Sequence, residues 1–204
     1  MNDLLTNTIP LLKKTKYGYG EVFLSNITTQ DDDEDYYDEI CKKSPNVILD
    51  IFPHCLDRDS KEIKYLDSDY FRFINEEKYL NFICDVFEEN DRCCYIEYDF
   101  YNYSHEKLIE NMKRLDEVDI LILLEQITHF NKEQNNKFMI DDANLLKLFL
   151  RGILRENMRL HFFFKKRPLM LFSNFDLSIP LAFKSIEDLE YYKEIAKDNN
   201  LFFR

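Results

Sequence analysis

The clearest pattern of apolar and polar residues lies between Met158 and Phe183. Two aromatic and aliphatic runs are separated by the basic turn Lys165-Lys166-Arg167-Pro168, and a mainly polar patch at residues 173–176 breaks the second run. Short apolar runs bounded by turn residues are typical of β-strands. The segment therefore predicts a three-stranded β-meander, followed by a helix that begins at Ser185.

Strict alternation occurs between Cys93 and Tyr101, which predicts a strand. One face of this strand carries mainly apolar side chains, those of Cys94, Ile96, Tyr98 and Phe100. The other face carries tyrosines and carboxylates, those of Tyr95, Glu97, Asp99 and Tyr101. We expect the first face to be buried and the second to be exposed.

Other short segments rich in β-branched and aromatic residues also predict strands. They are Glu21–Leu24, Val47–Phe52, Tyr70–Ile74 and, as an edge strand, Ile63–Leu66. Residues 3–14 form either a short helix or an irregular segment, because Pro10 interrupts them.

Helices are predicted where a capping residue precedes apolar residues at helical spacing. The candidate starts are Asn75, Ser104, Asp116, Asp141 or Asp142, and Ser185. The first of these helices should end near Asn90, and Asn199-Asn200 can end the last one. The run Ile120–Leu124 is the one ambiguous segment, since it also fits a buried strand.

Together these elements predict an α+β fold with a mainly antiparallel sheet that includes the C-terminal β-meander and is packed by several amphipathic helices. The sequence contains neither an internal repeat nor a linker rich in Pro, Gly or Ser. We therefore expect a single domain over residues 1–204, with 131–137 as the only candidate for a boundary.

Glycine and cysteine usage limits the chemistry. Three glycines in 204 residues are too few for phosphate-binding loops and dinucleotide fingerprints. Five cysteines form no Cys-x-x-Cys pair, so the sequence indicates neither a disulfide framework nor a zinc knuckle. We expect no cofactor and no metal.

The sequence also predicts a cytoplasmic protein that does not bind membranes. No apolar run approaches the ~20 residues that span a bilayer, and Ile120–Leu124 is followed at once by Glu125 and Gln126. Asp3 stands where a signal peptide would carry basic residues.

The net charge of −12 lies entirely in the first half of the chain. Residues 1–102 hold 11 Lys and Arg against 23 Asp and Glu, whereas residues 103–204 hold 16 of each. Asp31–Glu39 alone has seven carboxylates in nine residues. Such a surface repels polyanions and attracts basic proteins.

Two residue sets are candidates for catalysis. The first is a pair of carboxylates, either Glu97 and Asp99 on one strand face or Asp141 and Asp142 at a helix start. Residues two apart on a strand face are about 7 Å apart, a spacing that can serve acid and base roles in glycoside hydrolysis. His54-Cys55, with Cys41 or a distant histidine, can supply a nucleophile or metal ligands, but lacks the close pairs of a structural zinc site. A small hydrolase using carboxylates or a Cys/His pair is therefore the alternative function.

Basic residues beside aromatics can bind single-stranded nucleic acid. Arg151, Arg155 and Arg159 recur every four residues, and Lys165–Arg167 follows Phe162–Phe164. The net charge of −12 opposes this use, and we expect no nucleic-acid partner.

The favoured function is a non-enzymatic interaction module with an acidic, Tyr-bearing face that binds a basic protein, such as an immunity protein neutralising a toxin. The predicted partner-binding residues are Asp31, Asp32, Asp33, Glu34, Asp35, Asp38, Glu39, Tyr95, Glu97, Asp99 and Tyr101.

The C-terminal end, Ile179–Phe183 followed by Ser185-Ile-Glu-Asp-Leu-Glu, is similar to the ends of small bacterial proteins, some of them toxin immunity proteins. The likeness covers only this part of the chain and contains no diagnostic motif. No residue role is transferred from it.

Overall fold

The structure, a computed structural model, describes residues 9–17, 40, 42–57, 59–66, 68–101, 103–174 and 177–204. The strands in this part of the chain are β1 (Lys13–Lys14), β2 (Asn46–Asp50), β3 (Cys94–Glu97), β4 (Lys137–Ile140), β5 (His161–Phe164), β6 (Leu169–Phe172), β7 (Ile179–Phe183) and β8 (Phe202–Phe203). The helices are α1 (Ile63–Leu66), α2 (Asp69–Glu89), α3 (His105–Met112), α4 (Glu117–Phe130), α5 (Ala143–Leu154) and α6 (Ile186–Asp198).

The eight strands form one sheet in the order β1-β4-β3-β5-β6-β7-β2-β8, and every neighbouring pair is antiparallel. The predicted α+β fold and the C-terminal meander β5-β6-β7 are confirmed. β3 lies directly beside β5, with Tyr95 opposite Phe163 and Ile96 opposite Phe162. The alternating strand and the meander are therefore parts of the same rigid sheet.

The central strands are buried on both faces of the sheet. Phe162 and Phe164 belong to the large core on the helix side, whereas Phe163 belongs to a smaller cluster on the opposite side. The other buried members of that smaller cluster are Ile40, Tyr95, Met170, Phe172 and Ala182. Burial on both sides explains why the meander reads as continuous apolar runs instead of an alternation.

The helices cover one face of the sheet. α5 packs against α2 and α4, and α6 packs against the other side of α2. The resulting layer has the order α4-α5-α2-α6. Within the described ranges, no helix is long and apolar enough to cross a membrane.

Several predicted helix ends are confirmed by their caps. The side chains of Ser104, Asp116, Asp142 and Ser185 accept hydrogen bonds from backbone N–H groups in the first turn of the helices that follow them. Asn90 is the C-cap of α2. Asn200 has φ 55° after α6, the left-handed conformation expected there. Ile120–Leu124 lies within α4 and is helical.

Two strand predictions are wrong. Tyr70–Ile74 forms the first turns of α2, which Ser68 caps by accepting a hydrogen bond from the Phe71 N–H. The start of this helix therefore lies six residues before Asn75. Ile63–Leu66 is the short helix α1, whose Tyr65 and Leu66 lie close enough to α2 to pack on Phe71 and bind Arg72.

Other elements were not expected from the sequence. β4 occupies Lys137–Ile140, at the end of the candidate boundary segment 131–137, and is held between β1 and β3. Residues 13 and 14 form β1 and not the end of a helix, and β8 pairs with β2. The predicted strand at Glu21–Leu24 lies outside the described residues.

Gly152 in α5 tests how tightly the helix layer packs. A Cβ at this position would lie 2.4 Å from the Sδ and 2.7 Å from the Cγ of Met158. We expect Gly152→Ala to lower the free energy of unfolding by about 1–3 kcal/mol through overpacking, measured by urea denaturation.

The Met158→Ala background supplies the control for this substitution. There the Sδ and Cγ are gone, and only the Cβ of residue 158 stays close, at 3.0 Å, so the same change should cost clearly less, about 1 kcal/mol or below. Equal losses in the two backgrounds would show that Met158 is not the cause.

Candidate functional site

The predicted partner-binding tyrosine Tyr95 lies below the surface. It is 9% exposed and belongs to the smaller cluster, with its ring edge against Tyr17 at a centroid distance of 6.1 Å. Burial raises the pKa of its hydroxyl to about 12. Tyr95 is therefore placed to support this sheet face from beneath.

Glu97, Asp99 and Tyr101 lie nearer the solvent. Glu97 is half-buried at the end of β3, where its carboxylate lies 4.0 Å from the Lys137 ammonium on β4. Asp99 and Tyr101 are exposed, and the Asp99 carboxylate accepts a hydrogen bond from the Tyr101 N–H at 2.8 Å. This turn presents a carboxylate and a phenol together.

A cluster of polar and aromatic side chains supports that turn. The Tyr98 and Tyr103 hydroxyls are 3.1 Å apart, and Asn111 donates a hydrogen bond to Tyr103. The Lys107 ammonium lies 5.1 Å and 4.8 Å from the two ring centroids. Burial lowers the pKa of Lys107, and nearby Asp99 opposes that shift. Only Tyr98 of this cluster has a sequence signal, its place in the alternation.

The acidic run Asp31–Glu39 lies outside the described residues. Ile40, which directly follows it, is fully buried and belongs to the smaller cluster with Tyr95, Phe163 and Met170. Ile40 is thus held against the sheet face that carries Tyr95.

His54 and Cys55 lie far from Glu97 and Asp99. They follow β2, which is four strand spacings from β3 in the sheet, roughly 19 Å. The structure therefore does not bring these four residues into one site. Cys41 lies outside the described residues, and no group of metal-binding side chains occurs among those described.

Cys55 contacts a separate polar cluster around Arg204. The Arg204 guanidinium donates hydrogen bonds to the Cys55 Sγ at 2.8 Å and to the Ser178 Oγ at 3.2 Å. It also pairs with the buried carboxylate of Asp50 at 2.6 Å. This cluster joins β8 to β2 and to the segment before β7, which is a structural role.

Two of the three arginines predicted as a basic edge, Arg151 and Arg155, are paired inside the helix layer, whereas Arg159 is exposed. Arg155 makes two hydrogen bonds of 2.7 Å to Glu76 of α2, and Arg151 makes two of 3.0 Å to Asp119 of α4. Arg151 also lies 3.5 Å from Glu76. These pairs connect α2, α4 and α5.

The basic turn after β5 is also occupied by contacts within the chain. Lys166 pairs with Asp91 at 2.5 Å, and Lys165 lies 4.7 Å from the ring centroid of Tyr17. The Arg167 guanidinium stacks 3.8 Å from the Tyr191 ring centroid and lies 3.5 Å from Asp188. The three cations of this turn therefore interact with groups of the same chain.

A shallow groove of about 550 Å³ runs between α4 and α5 beside the arginine pairs. Its lining is mixed in charge and apolar only in part: Asp116, Glu117, Val118, Asp119, Ile122, Asn144, Lys147 and Arg151. None of the predicted partner-binding or catalytic residues from the first half of the chain lines it.

Comparison of the chain with protein-family models, with curated proteins and with solved structures finds no match.

Because Glu76 pairs with two arginines, removal of its charge should strongly lower the stability of the fold. Glu76 and both arginine side chains are largely buried, so Glu76→Gln should lower the free energy of unfolding by about 3 kcal/mol. The neighbouring Glu77 is exposed, and Glu77→Gln should change it by less than about 0.5 kcal/mol. Urea denaturation of both variants measures the difference, and similar losses would contradict the pairing.

Asp119 predicts a specific dependence of stability on pH. Burial raises its pKa above 3.8, and the opposing effect of Arg151 is smaller. The folded state therefore binds this proton more tightly than the unfolded state, so its stabilisation is present at low pH and is lost as pH rises through the raised pKa.

Asp119→Asn removes this titration and leaves the other groups in place. We expect wild type to gain stability relative to Asp119→Asn as the pH falls from about 7 to about 4, measured by denaturation at each pH. A gap that stays constant, or that narrows on acidification, would contradict the upward shift.

Proposed function

We propose that this chain is a cytoplasmic, non-enzymatic interaction protein that binds a basic protein and neutralises it, as a toxin immunity protein does. The binding surface, called here the acidic face, consists of the acidic run, the end of β3 and the turn that follows β3. Its contact residues are Asp31, Asp32, Asp33, Glu34, Asp35, Asp38, Glu39, Glu97, Asp99 and Tyr101. Tyr95 supports the face from below.

The position of Ile40 is the main support for this proposal. Ile40 is buried against the same side of the sheet as Tyr95, and Glu39 is its neighbour in the chain. Seven carboxylates therefore precede a point fixed to the rigid centre of the molecule. A rigid platform lowers the entropy that binding must overcome.

The charge distribution gives a second support. Four arginine–carboxylate pairs, whose side chains are at most 22% exposed, cancel one another inside the described structure: Arg72–Glu156, Arg151–Asp119, Arg155–Glu76 and Arg204–Asp50. The net charge of −12 is consequently carried by the remaining side chains. A negatively charged surface attracts a basic protein over long distances and raises its association rate.

The exposed Asp99–Tyr101 turn has the chemistry of an interface anchor. Tyrosine offers a rigid, amphipathic contact surface and is enriched at positions that dominate binding energy. The side chains of Tyr98, Tyr103 and Lys107 pack against one another next to this turn. The turn is therefore ordered before binding, and little conformational entropy is lost when a partner binds.

A comparison of two charge variants tests the proposal. One variant carries Asp31→Asn, Asp32→Asn, Asp33→Asn and Asp35→Asn. The matched control makes the same change of charge on α6, with Glu187→Gln, Glu190→Gln, Glu194→Gln and Asp198→Asn, all at exposed positions. Wild type and both variants serve as bait in pull-downs from the source cell, and the recovered protein is then purified for titration.

We expect a basic protein that wild type and the α6 control retain and the acidic-run variant loses. Its affinity for the acidic-run variant should fall at least about tenfold, and wild-type binding should weaken as salt is raised. Recovery of the same proteins by all three baits would rule out the acidic face as the binding surface.

A further inference from the structure

The first turns of α2 expose a row of apolar side chains to solvent. Tyr70, Phe73 and Ile74 are 74%, 55% and 53% exposed. Because residues three and four apart are neighbours on a helix surface, these side chains form one stripe. The inner face of α2 is buried in the core through Tyr79, Leu80, Phe82, Ile83, Val86 and Phe87, so folding does not require the outer stripe.

Neighbouring groups hold both sides of this stripe. On one side, Tyr65 of α1 stacks on Phe71 at a centroid distance of 5.8 Å, and Phe71 stacks on Phe52 at 6.2 Å. On the other side, the Arg155 guanidinium lies 5.1 Å from the Phe73 ring centroid while it is paired with Glu76. Tyr65 and Phe73 are therefore exposed but ordered by these contacts.

The area is large for a surface without a function. Tyr65, Tyr70 and Phe73 are each more than half exposed, and together they present on the order of 300 Å². With Ile74 the patch reaches the size of the largest patch on a typical monomer, which is often functional. It amounts to roughly half of one partner's share of a standard interface.

Charge at the edges of the stripe decides which occupant fits. Asp69 and Glu77 flank it on α2 and are exposed, and no ion pair of either occurs within the described ranges. Nearby cations include Lys64 on α1 and Lys78, which is only partly exposed. A second copy of the chain would bring a further net charge of −12 and would be repelled. An amphipathic helix with lysines or arginines beside its apolar face would complement both the apolar row and the two acids.

We propose that the surface formed by Tyr65, Tyr70, Phe73 and Ile74, called here the aromatic face, docks a cationic amphipathic helix of a partner protein. The apolar side chains of that helix pack on the stripe, and its basic side chains pair with Asp69 and Glu77. The aromatic face lies on the helix layer, on the opposite side of the sheet from the Ile40 cluster. It is a second surface and does not depend on the acidic face.

A designed peptide tests this surface without knowledge of the natural partner. The probe is a helical peptide of about 20 residues with Leu on one face and Lys on the other, and its counterpart carries Glu in place of Lys. NMR chemical shifts of the isotope-labelled protein locate the contact, and titration gives the affinity. We expect the Lys peptide alone to bind, with the largest shifts at Tyr65, Tyr70, Phe73 and Ile74.

Three variants distinguish specific binding at the aromatic face from nonspecific hydrophobic binding. Tyr70→Ser with Phe73→Ser should weaken the Lys peptide at least about tenfold. Ile186→Ser with Phe202→Ser removes exposed apolar side chains elsewhere and should leave the affinity unchanged. Glu77→Lys keeps the apolar stripe and should weaken binding severalfold through charge alone.

Shifts centred elsewhere, or equal affinities for the wild type and the Tyr70/Phe73 variant, would overturn the proposal. Light scattering over a range of protein concentrations shows whether the aromatic face is instead a dimer interface. A dimer that the Tyr70/Phe73 variant abolishes would assign the aromatic face to a second copy of the chain and would equally refute a cationic helix.

Discussion

Burial of the central strands on both faces of the sheet is the constraint on which the rest of the structure depends. Apart from His161 at the start of β5, the runs in β5, β6 and β7 consist of buried apolar residues, so each face of the sheet needs its own cover. Helices α2, α5 and α6 contribute buried side chains to the core on one side. On the other side, Ile40 and Tyr95 complete a smaller cluster, which links the end of the acidic run to the middle of the sheet.

Among the described residues, the buried carboxylates Asp50, Glu76 and Asp119 are each paired with an arginine. Glu76, Asp119, Arg151 and Arg155 lie where α2, α4 and α5 meet, and their hydrogen bonds satisfy one another. A buried charge without a partner is costly, whereas a paired one fixes the relative position of the elements that carry it. The excess of acid is therefore carried by side chains outside these pairs.

The two proposed surfaces differ in their chemistry. The acidic face relies on long-range attraction and on a phenol and carboxylates near β3, whereas the aromatic face relies on apolar area with acids at its edge. Both favour a basic partner for the same reason, since the net charge of −12 disfavours anions and self-association alike. A partner with both a cationic surface and an exposed amphipathic helix would suit this molecule.

The sequence by itself determined the features that depend on neighbours along the chain. Cap residues located the starts of α3, α4, α5 and α6, and the turn chemistry around Pro168 located the meander. The alternation from Cys94 correctly separated the residues that face the large core, Cys94, Ile96, Tyr98 and Phe100, from those on the other side of the strand. These signals are local because a cap or a turn is formed by residues within one helical turn of each other.

Only the tertiary structure decided the features that depend on distant residues. Tyr70–Ile74 has the aromatic and β-branched residues that are typical of a strand. It nevertheless forms the first turns of α2, whose inner face packs on α5 and α6. Lys137–Ile140 becomes a strand because β1 and β3 flank it. Tyr95 is buried by residues on the second sheet face, and Arg151 and Arg155 find carboxylates on other helices. Pairing and burial of this kind join residues far apart in the chain, so no local pattern records them.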